Sequence, residues 1–151
     1  MRTAQEWLDA YGESHQNPIN KKIHWLCIPW IMVSVIGLFA ALPSPFGADW
    51  MHWGVIAVGL AIGYYALISI PLAIGMAIVS AVMLVVVQLL AALPMPLWLS
   101  SLLIFVIAWI FQFIGHKIEG KKPSFLEDLQ FLLIGPMWLL AAIYRRIGIG
   151  Y

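Results

Sequence analysis

Three of the chain's four histidines stand where an apolar stretch meets polar sequence. His15 and His24 lead into the first such stretch, and His116 closes the fourth. Imidazole nitrogens are good ligands for iron, zinc, copper and nickel, and ionisable groups in a membrane setting are costly enough that they generally serve a function. Gathered at one interface, the three histidines read as a metal site. Gln112, His116 and Glu119 fall on one stripe if the fourth stretch continues as a helix, aiming an amide, an imidazole and a carboxylate the same way. The competing reading is a helix end, where a histidine complements the dipole and Glu119 pairs with Lys122. His15 and His24 would face apart on an unbroken helix. Asn17-Pro18 lies between them, however, and an asparagine cap followed by proline is a helix start, so the two rings can converge. Their competing reading is a pair of interfacial amphipathic side chains, and Asn17 reads first as the cap. His52, between Trp50 and Trp53, belongs to an aromatic belt on the opposite side, and Cys27 to packing near the end of the first span.

The elements that carry these residues follow from composition. Of 151 residues, 63% are hydrophobic and 10% charged, and mean hydropathy is +0.94. A soluble domain has roughly 45–50% apolar and about 25% charged residues, so the chain reads as an all-α integral membrane protein, a polytopic helical bundle forming one domain over residues 1–151. A net charge of +1 gives no case for nucleic acid. A lone cysteine excludes an internal disulfide. The first twenty residues carry Glu6, Asp9 and Glu13 and lack the apolar core of a secretory signal, so no cleavage is expected.

Apolar stretches at Trp25–Leu42, Trp53–Ile70, Leu72–Leu93 and Leu97–Gly115 approach the ~20 residues that cross a bilayer core. Their connections at Pro43-Ser44-Pro45, Pro71 and Pro94-Met95-Pro96 are short, which makes neighbours antiparallel. Ahead of them, Thr3 and Glu6 form a capping-box pattern, with Trp7, Leu8 and Tyr11 at helical spacing. This predicts a short interfacial helix lying on the membrane and ending near Gly12. Beyond them, Ser124 and Glu127 cap a fifth helix, Phe125–Tyr144, which Gly135-Pro136 interrupts, so it reads as re-entrant or interfacial. Lys21, Lys22, Lys117, Lys121 and Lys122 flank the outer spans, whereas the loop around Asp49 has no basic residue. Both termini and the three histidines are therefore expected on the cytoplasmic face. Compact size and minimal loops suit a bacterial inner membrane, or the endoplasmic reticulum in a eukaryote.

The run Tyr11-x3-His15-x-Asn17-x6-His24-x4-Pro29, followed by Gln112-Phe113-Ile114-Gly115-His116-x2-Glu119-x3-Pro123 and then Gly135-Pro136, resembles the family of the yeast 2-hydroxy fatty acid dioxygenase. That family acts in fatty acid α-oxidation during phytosphingosine breakdown. The likeness spans nearly the whole chain. It departs where the family favours a glycine shortly after the second histidine and this chain has Leu26-Cys27, and where Pro-Ala-Leu is replaced by Pro123-Ser124-Phe125. Neither removes a candidate ligand. The resemblance implies an Fe(2+)-dependent reaction in which a 2-hydroxy fatty acid and O2 give a fatty acid one carbon shorter, CO2 and water. It implies His15, His24 and His116 as ligands, with Glu119 a fourth ligand or an orienting partner. Gln112, Asn17 and Tyr11 would hydrogen-bond the substrate head group or oxygen, and the acyl tail would lie among the spans, in contact with membrane lipid.

The chain has no glycine-rich dinucleotide loop and no haem-attachment motif, in keeping with a reaction that needs no external reductant. A diiron hydroxylase or desaturase would need about eight histidines in HxxxH and HxxHH clusters, and this chain has four. A small membrane transporter or scaffold with an interfacial metal site would fit the size. It calls for polar groups through the bilayer midplane, where only Ser80, Gln88, Ser100 and Ser101 are available. Reporter fusions after Arg2 and Tyr151 should both report cytoplasm, and labelling at Asp49 the outside. Termini on opposite sides would mean that the fifth apolar segment crosses.

Overall fold

The computed structural model describes residues 2–48, 50–126 and 128–151. Asp49, the intended outside label, and Glu127, the second half of the expected Ser124 cap, lie outside them. Among the described residues the chain forms six α-helices and no strand: α1 (Ala4–Gly12), α2 (Pro18–Ala40), α3 (Trp53–Ile68), α4 (Ile70–Ala91), α5 (Leu97–Glu119) and α6 (Phe131–Ile147), with a short 3-10 turn at Ser124–Leu126. The all-α class follows. By length and hydropathy α2, α4 and α5 suffice to cross a membrane, while α3, at 16 residues, is shorter. Four spans were expected, and three meet the length.

Local signals set the helix starts. Thr3 and Glu6 make the reciprocal capping box, the Thr3 amide donating to Glu6 Oε2 at 2.7 Å. The Asn17 side chain accepts from the amides of Ile19 and Asn20, so α2 begins at Pro18, seven residues before the apolar run does. Ser69 alone separates α3 from α4, ending one helix and capping the next, with Pro71 in the first turn of α4. Gly120 ends α5 with φ +74°, a left-handed conformation that glycine adopts without steric cost.

Helix α2 is central and packs on α5, α3 and α4. It runs antiparallel to α5: His24 meets His116 at one end, and Gly37 meets Ser101 at the other. Helix α3 also runs against α2. Its start is tied by the Trp53 indole N–H, which donates to the Pro43 carbonyl at 3.1 Å. At its end the Tyr65 hydroxyl donates to the Leu133 carbonyl at 2.8 Å.

The terminal helices differ from expectation. Helix α6 starts at Phe131 rather than Phe125 and runs unbroken through Gly135-Pro136. Pro136 sits in its second turn, where the missing N–H removes a single helical bond. Its partners lie at the histidine end of the bundle: Tyr65 of α3, Pro71 of α4, whose carbonyl accepts from the Tyr144 hydroxyl at 3.0 Å, and Trp25 of α2, 5.7 Å beneath the Arg146 guanidinium. Helix α1 was expected to lay its apolar face on lipid. Instead Trp7 and Tyr11 are buried against α6, Trp7 edge-on to Phe131 at 5.5 Å and Tyr11 5.6 Å from Trp138. Periodicity marks an apolar face without saying what covers it. Together α1 and α6 cap the histidine end.

Two glycines permit close approach there. A Cβ on Gly115 would run into the Asn20 carboxamide, and one on Gly135 would lie 2.9 Å from the Tyr11 hydroxyl. Gly115→Val should therefore destabilise the protein by about 1–3 kcal/mol through overpacking. Gly59→Val, where no atom lies within 4 Å of the added Cβ, should stay within about 0.5 kcal/mol of the parent. Thermal unfolding in detergent separates the two.

Candidate metal centre

Burying an imidazole requires a partner for each polar nitrogen, and the backbone provides part of this. His15 Nδ1 lies 2.6 Å from the Tyr11 carbonyl and His24 Nδ1 3.0 Å from the Asn20 carbonyl. A carbonyl oxygen can only accept, so both Nδ1 atoms carry the proton and donate. Each Nε2 is left with its lone pair. His15 Nε2 is buried without a partner, and so is His116 Nδ1.

The three rings converge. Centroids are 4.2 Å apart for His15 and His24, 5.0 Å for His15 and His116, and 4.9 Å for His24 and His116. One donor atom from each lies within 4.8 Å of the others, and all three residues are buried. Burial holds the His15 imidazole at a pKa of about 4, partly offset by its bond to the Tyr11 carbonyl. His15 is thus neutral, the form that binds metal, at any pH near 7. Three converging buried imidazoles, two of them with a ring nitrogen that has no partner, and no thiolate suit a divalent ion of borderline softness, Fe(2+) or Zn(2+) among them.

The supports of the trio come from four segments. Tyr11 stacks on His15 at 4.1 Å and 14°. Ser14 Oγ contacts His15 Nδ1 at 3.2 Å and Ser124 Oγ at 2.5 Å, tying the α1–α2 link to the turn after α5. Asn20, fully buried, orients His24 through its carbonyl and donates from Nδ2 to the Ser14 carbonyl at 3.2 Å and to Glu119 at 3.0 Å. Sequence reasoning missed Ser14, Asn20 and Ser124. Asn20 had a legible signal, standing four residues before His24 where its carbonyl meets the ring.

The expected site residues divide into two groups. Tyr11, His15, His24, Gln112 and His116 share the wall of one cavity of about 580 Å³. Gln112 is 5% exposed, and its Oε1 has no partner. Asn17 and Glu119 stand outside that wall. The Asn17 carboxamide caps α2. The Glu119 oxygens accept from the amides of Gln16 and Asn17, both at 2.8 Å, and from Asn20 Nδ2. The stripe from Gln112 to Glu119 exists, and at the last turn of α5 the carboxylate accepts from backbone amides of the α1–α2 link. His52 sits at the start of α3, at the opposite end of the bundle, and Cys27 is buried packing.

From the trio the cavity runs along α2 past Ile28, Met32 and Ile36 to Phe39, and along α5 past Gln112 and Trp109 to Phe105. Its lining is apolar below Gln112 except for Ser80 and the Trp109 indole N–H. Of the other polar groups on the long apolar helices, Ser34 and Ser100 donate to carbonyls of their own turns, Ser101 is buried facing Gly37 with its hydroxyl unpartnered, and Gln88 is exposed on α4.

These features define a class: an all-α chain with helices of membrane-crossing length and a buried three-imidazole group at one end of its bundle. The chain belongs to the Mpo1-like family, whose model, described as 2-hydroxy-palmitic acid dioxygenase Mpo1-like, matches residues 1–147. It is 26% identical over 156 residues to the 2-hydroxy-palmitic acid dioxygenase MPO1 of Saccharomyces cerevisiae, an alignment covering 93% of this chain and 79% of that protein. No solved structure matches.

Replacing His15, His24 or His116 by Ala should each leave a folded protein that has lost its metal, whereas His52→Ala should keep it; metal content of the purified variants reads this out. Glu119→Gln should retain metal and lose about 1–3 kcal/mol of stability, because charge-assisted bonds to two amides weaken. Loss of metal without loss of stability would instead make Glu119 a ligand.

Proposed function

We propose that the protein is an Fe(2+)-dependent dioxygenase that shortens a 2-hydroxy fatty acid by one carbon at the histidine end of its bundle. The observation that carries this reading is the position of His15, His24 and His116 at the head of a long apolar cavity. The names of the family and of its yeast relative supply the substrate class. The chemistry balances without another reductant. Carbon 2 rises from an alcohol to a carboxyl group and carbon 1 leaves as CO2, which together release the four electrons that reduce O2. His15, His24 and His116 would hold the Fe(2+), which would supply the redox chemistry between O2 and the 2-hydroxy acid.

The chain's own residues bind, orient and exclude water. The carbonyls of Tyr11 and Asn20 keep the His15 and His24 rings in the tautomer that presents Nε2. Gln112 Oε1, buried and one turn from His116, accepts a hydrogen bond from the substrate's hydroxyl. The Tyr11 hydroxyl, at the cavity wall beside Gly135, donates to the carboxylate end. Asn17 and Glu119 act through the α1–α2 link, which they fasten to α5. The apolar walls contributed by α2 and α5 keep bulk water from the reacting carbons.

In the same reading α2, α3, α4 and α5 all cross the membrane. Helix α3, at 1.5 Å per residue, is ~24 Å long and runs between the same two ends as α2. Helices α1 and α6 lie at the interface over the histidine end. Lys21, Lys22, Lys117, Lys121, Lys122, Arg145 and Arg146 all belong to that end, which makes it cytoplasmic by the distribution of basic residues.

Purified protein loaded with ferrous iron should consume one O2 per 2-hydroxy fatty acid cleaved, without NAD(P)H, and yield the acid one carbon shorter. A 3-hydroxy acid, whose oxygens cannot form the same five-membered chelate, should be a poor substrate. Stoichiometric demand for a reductant, or equal turnover of the 3-hydroxy acid, would contradict the reading.

A further inference from the structure

Tyr65, Ala61 and Ala57 of α3 line the same cavity as the histidines, and their four-residue spacing places them in one row along the helix. Tyr65 heads the row at the histidine end, held by its bond to Leu133. The row then narrows to alanine at both remaining positions, with Val58 beside Ala57, and it faces large side chains across the cavity, Met32 and Phe39 from α2 and Phe105 and Trp109 from α5, while Ser80 of α4 is small as well. A larger side chain at position 61 or 57 would project into the space that now forms the cavity. At 1.5 Å per residue Ala61 lies ~6 Å and Ala57 ~12 Å along α3 from Tyr65, and the α2 wall from His24 to Phe39 is ~22 Å long. One layer of lipid chains is about 15 Å deep, half of a ~30 Å bilayer core. An acyl chain anchored at the histidines therefore passes Ala61 at mid-length and has its distal carbons at Ala57. The unpartnered Gln112 Oε1 independently marks the histidine end as the one that takes a polar head.

We propose that Ala61 and Ala57 set the chain-length limit of this site, Ala61 giving room to the middle of the acyl chain and Ala57 to its distal part. The inference rests on the proposed reading for the identity of the head group, while the tail contacts apply to any fatty acid that enters the cavity. The test compares Ala61→Phe and Ala57→Phe with Leu60→Phe, whose position is 73% exposed on the same helix. Turnover of 2-hydroxy acids of graded length is measured on iron-loaded protein. In parallel, unsubstituted fatty acids of the same lengths displace a fluorescent fatty acid from metal-free protein. Ala61→Phe should cut off at medium chains and Ala57→Phe several carbons later, each by about four-fold in kcat/KM or affinity per methylene excluded. Leu60→Phe should match the parent, and all three should hold the parent's iron content. Where a Phe variant fails to fold, Ala61→Val and Ala57→Val should give smaller cut-offs in the same order. Equal losses at every chain length, or a cut-off that does not move between positions 61 and 57, would overturn the proposal. Graded cut-offs in displacement with no turnover of any 2-hydroxy acid would uphold it and refute the dioxygenase reading.

Discussion

Three imidazoles sharing one buried volume can carry at most one positive charge, because two cationic rings at centroid separations of 4.2–5.0 Å would repel strongly where little water screens them. Each ring that holds a metal must be neutral to offer its lone pair. Neutrality leaves each ring with one donor and one lone pair. The donors of His15 and His24 are spent on the carbonyls four residues earlier, Tyr11 and Asn20. Those carbonyls are positioned only while α1 stops at Gly12 and α2 starts afresh at Pro18. The break between the helices is thus a requirement of the site, and the Asn17 cap, the Glu119 carboxylate and the Ser14–Ser124 contact all serve to hold it.

The same constraint explains the architecture around the trio. A helix pair that only crossed a bilayer would leave His15 facing water. Helices α1 and α6 cover it: Tyr11 lies over His15, Trp138 lies 5.6 Å from both rings, and Lys121 Nζ ties the turn after α5 to the Glu13 carbonyl at 2.8 Å. Gly115 and Gly135 matter because the backbones of α5 and α6 must come close enough for Asn20 and Tyr11 to fill the space a side chain would take. The site accordingly has a polar end, at the histidines, and an apolar end along α2 and α5.

Much of this was legible along the chain. Hydropathy marked the apolar helices, since their exposed faces must suit lipid. The cap rules located Asn17-Pro18 and the Thr3–Glu6 box because those signals are local. The histidines could be grouped from their places at span ends. What could not be read were properties set by a partner element. The apolar stripe of α1 looks the same whether lipid or α6 covers it. Asn20 looks like an ordinary first-turn residue until Gly115 is brought against it. The α5 periodicity placed Glu119 correctly on the stripe but could not show that three hydrogen-bond donors from the α1–α2 segment meet it there. The start of α6 was misplaced because Ser124 opens a 3-10 turn rather than the helix, and the expected interruption is missing because a proline in the second turn removes only one helical bond.

The central claim is that His15, His24 and His116 together hold one iron. X-ray absorption at the iron edge of protein purified anaerobically with its native metal tests this most directly. The account predicts a first shell of nitrogen and oxygen with the outer-shell scattering of about three imidazoles and no sulfur, since Cys27 is buried packing on α2 and all three donors are ring nitrogens. A spectrum without imidazole scattering, or one with an iron–sulfur distance, would contradict it.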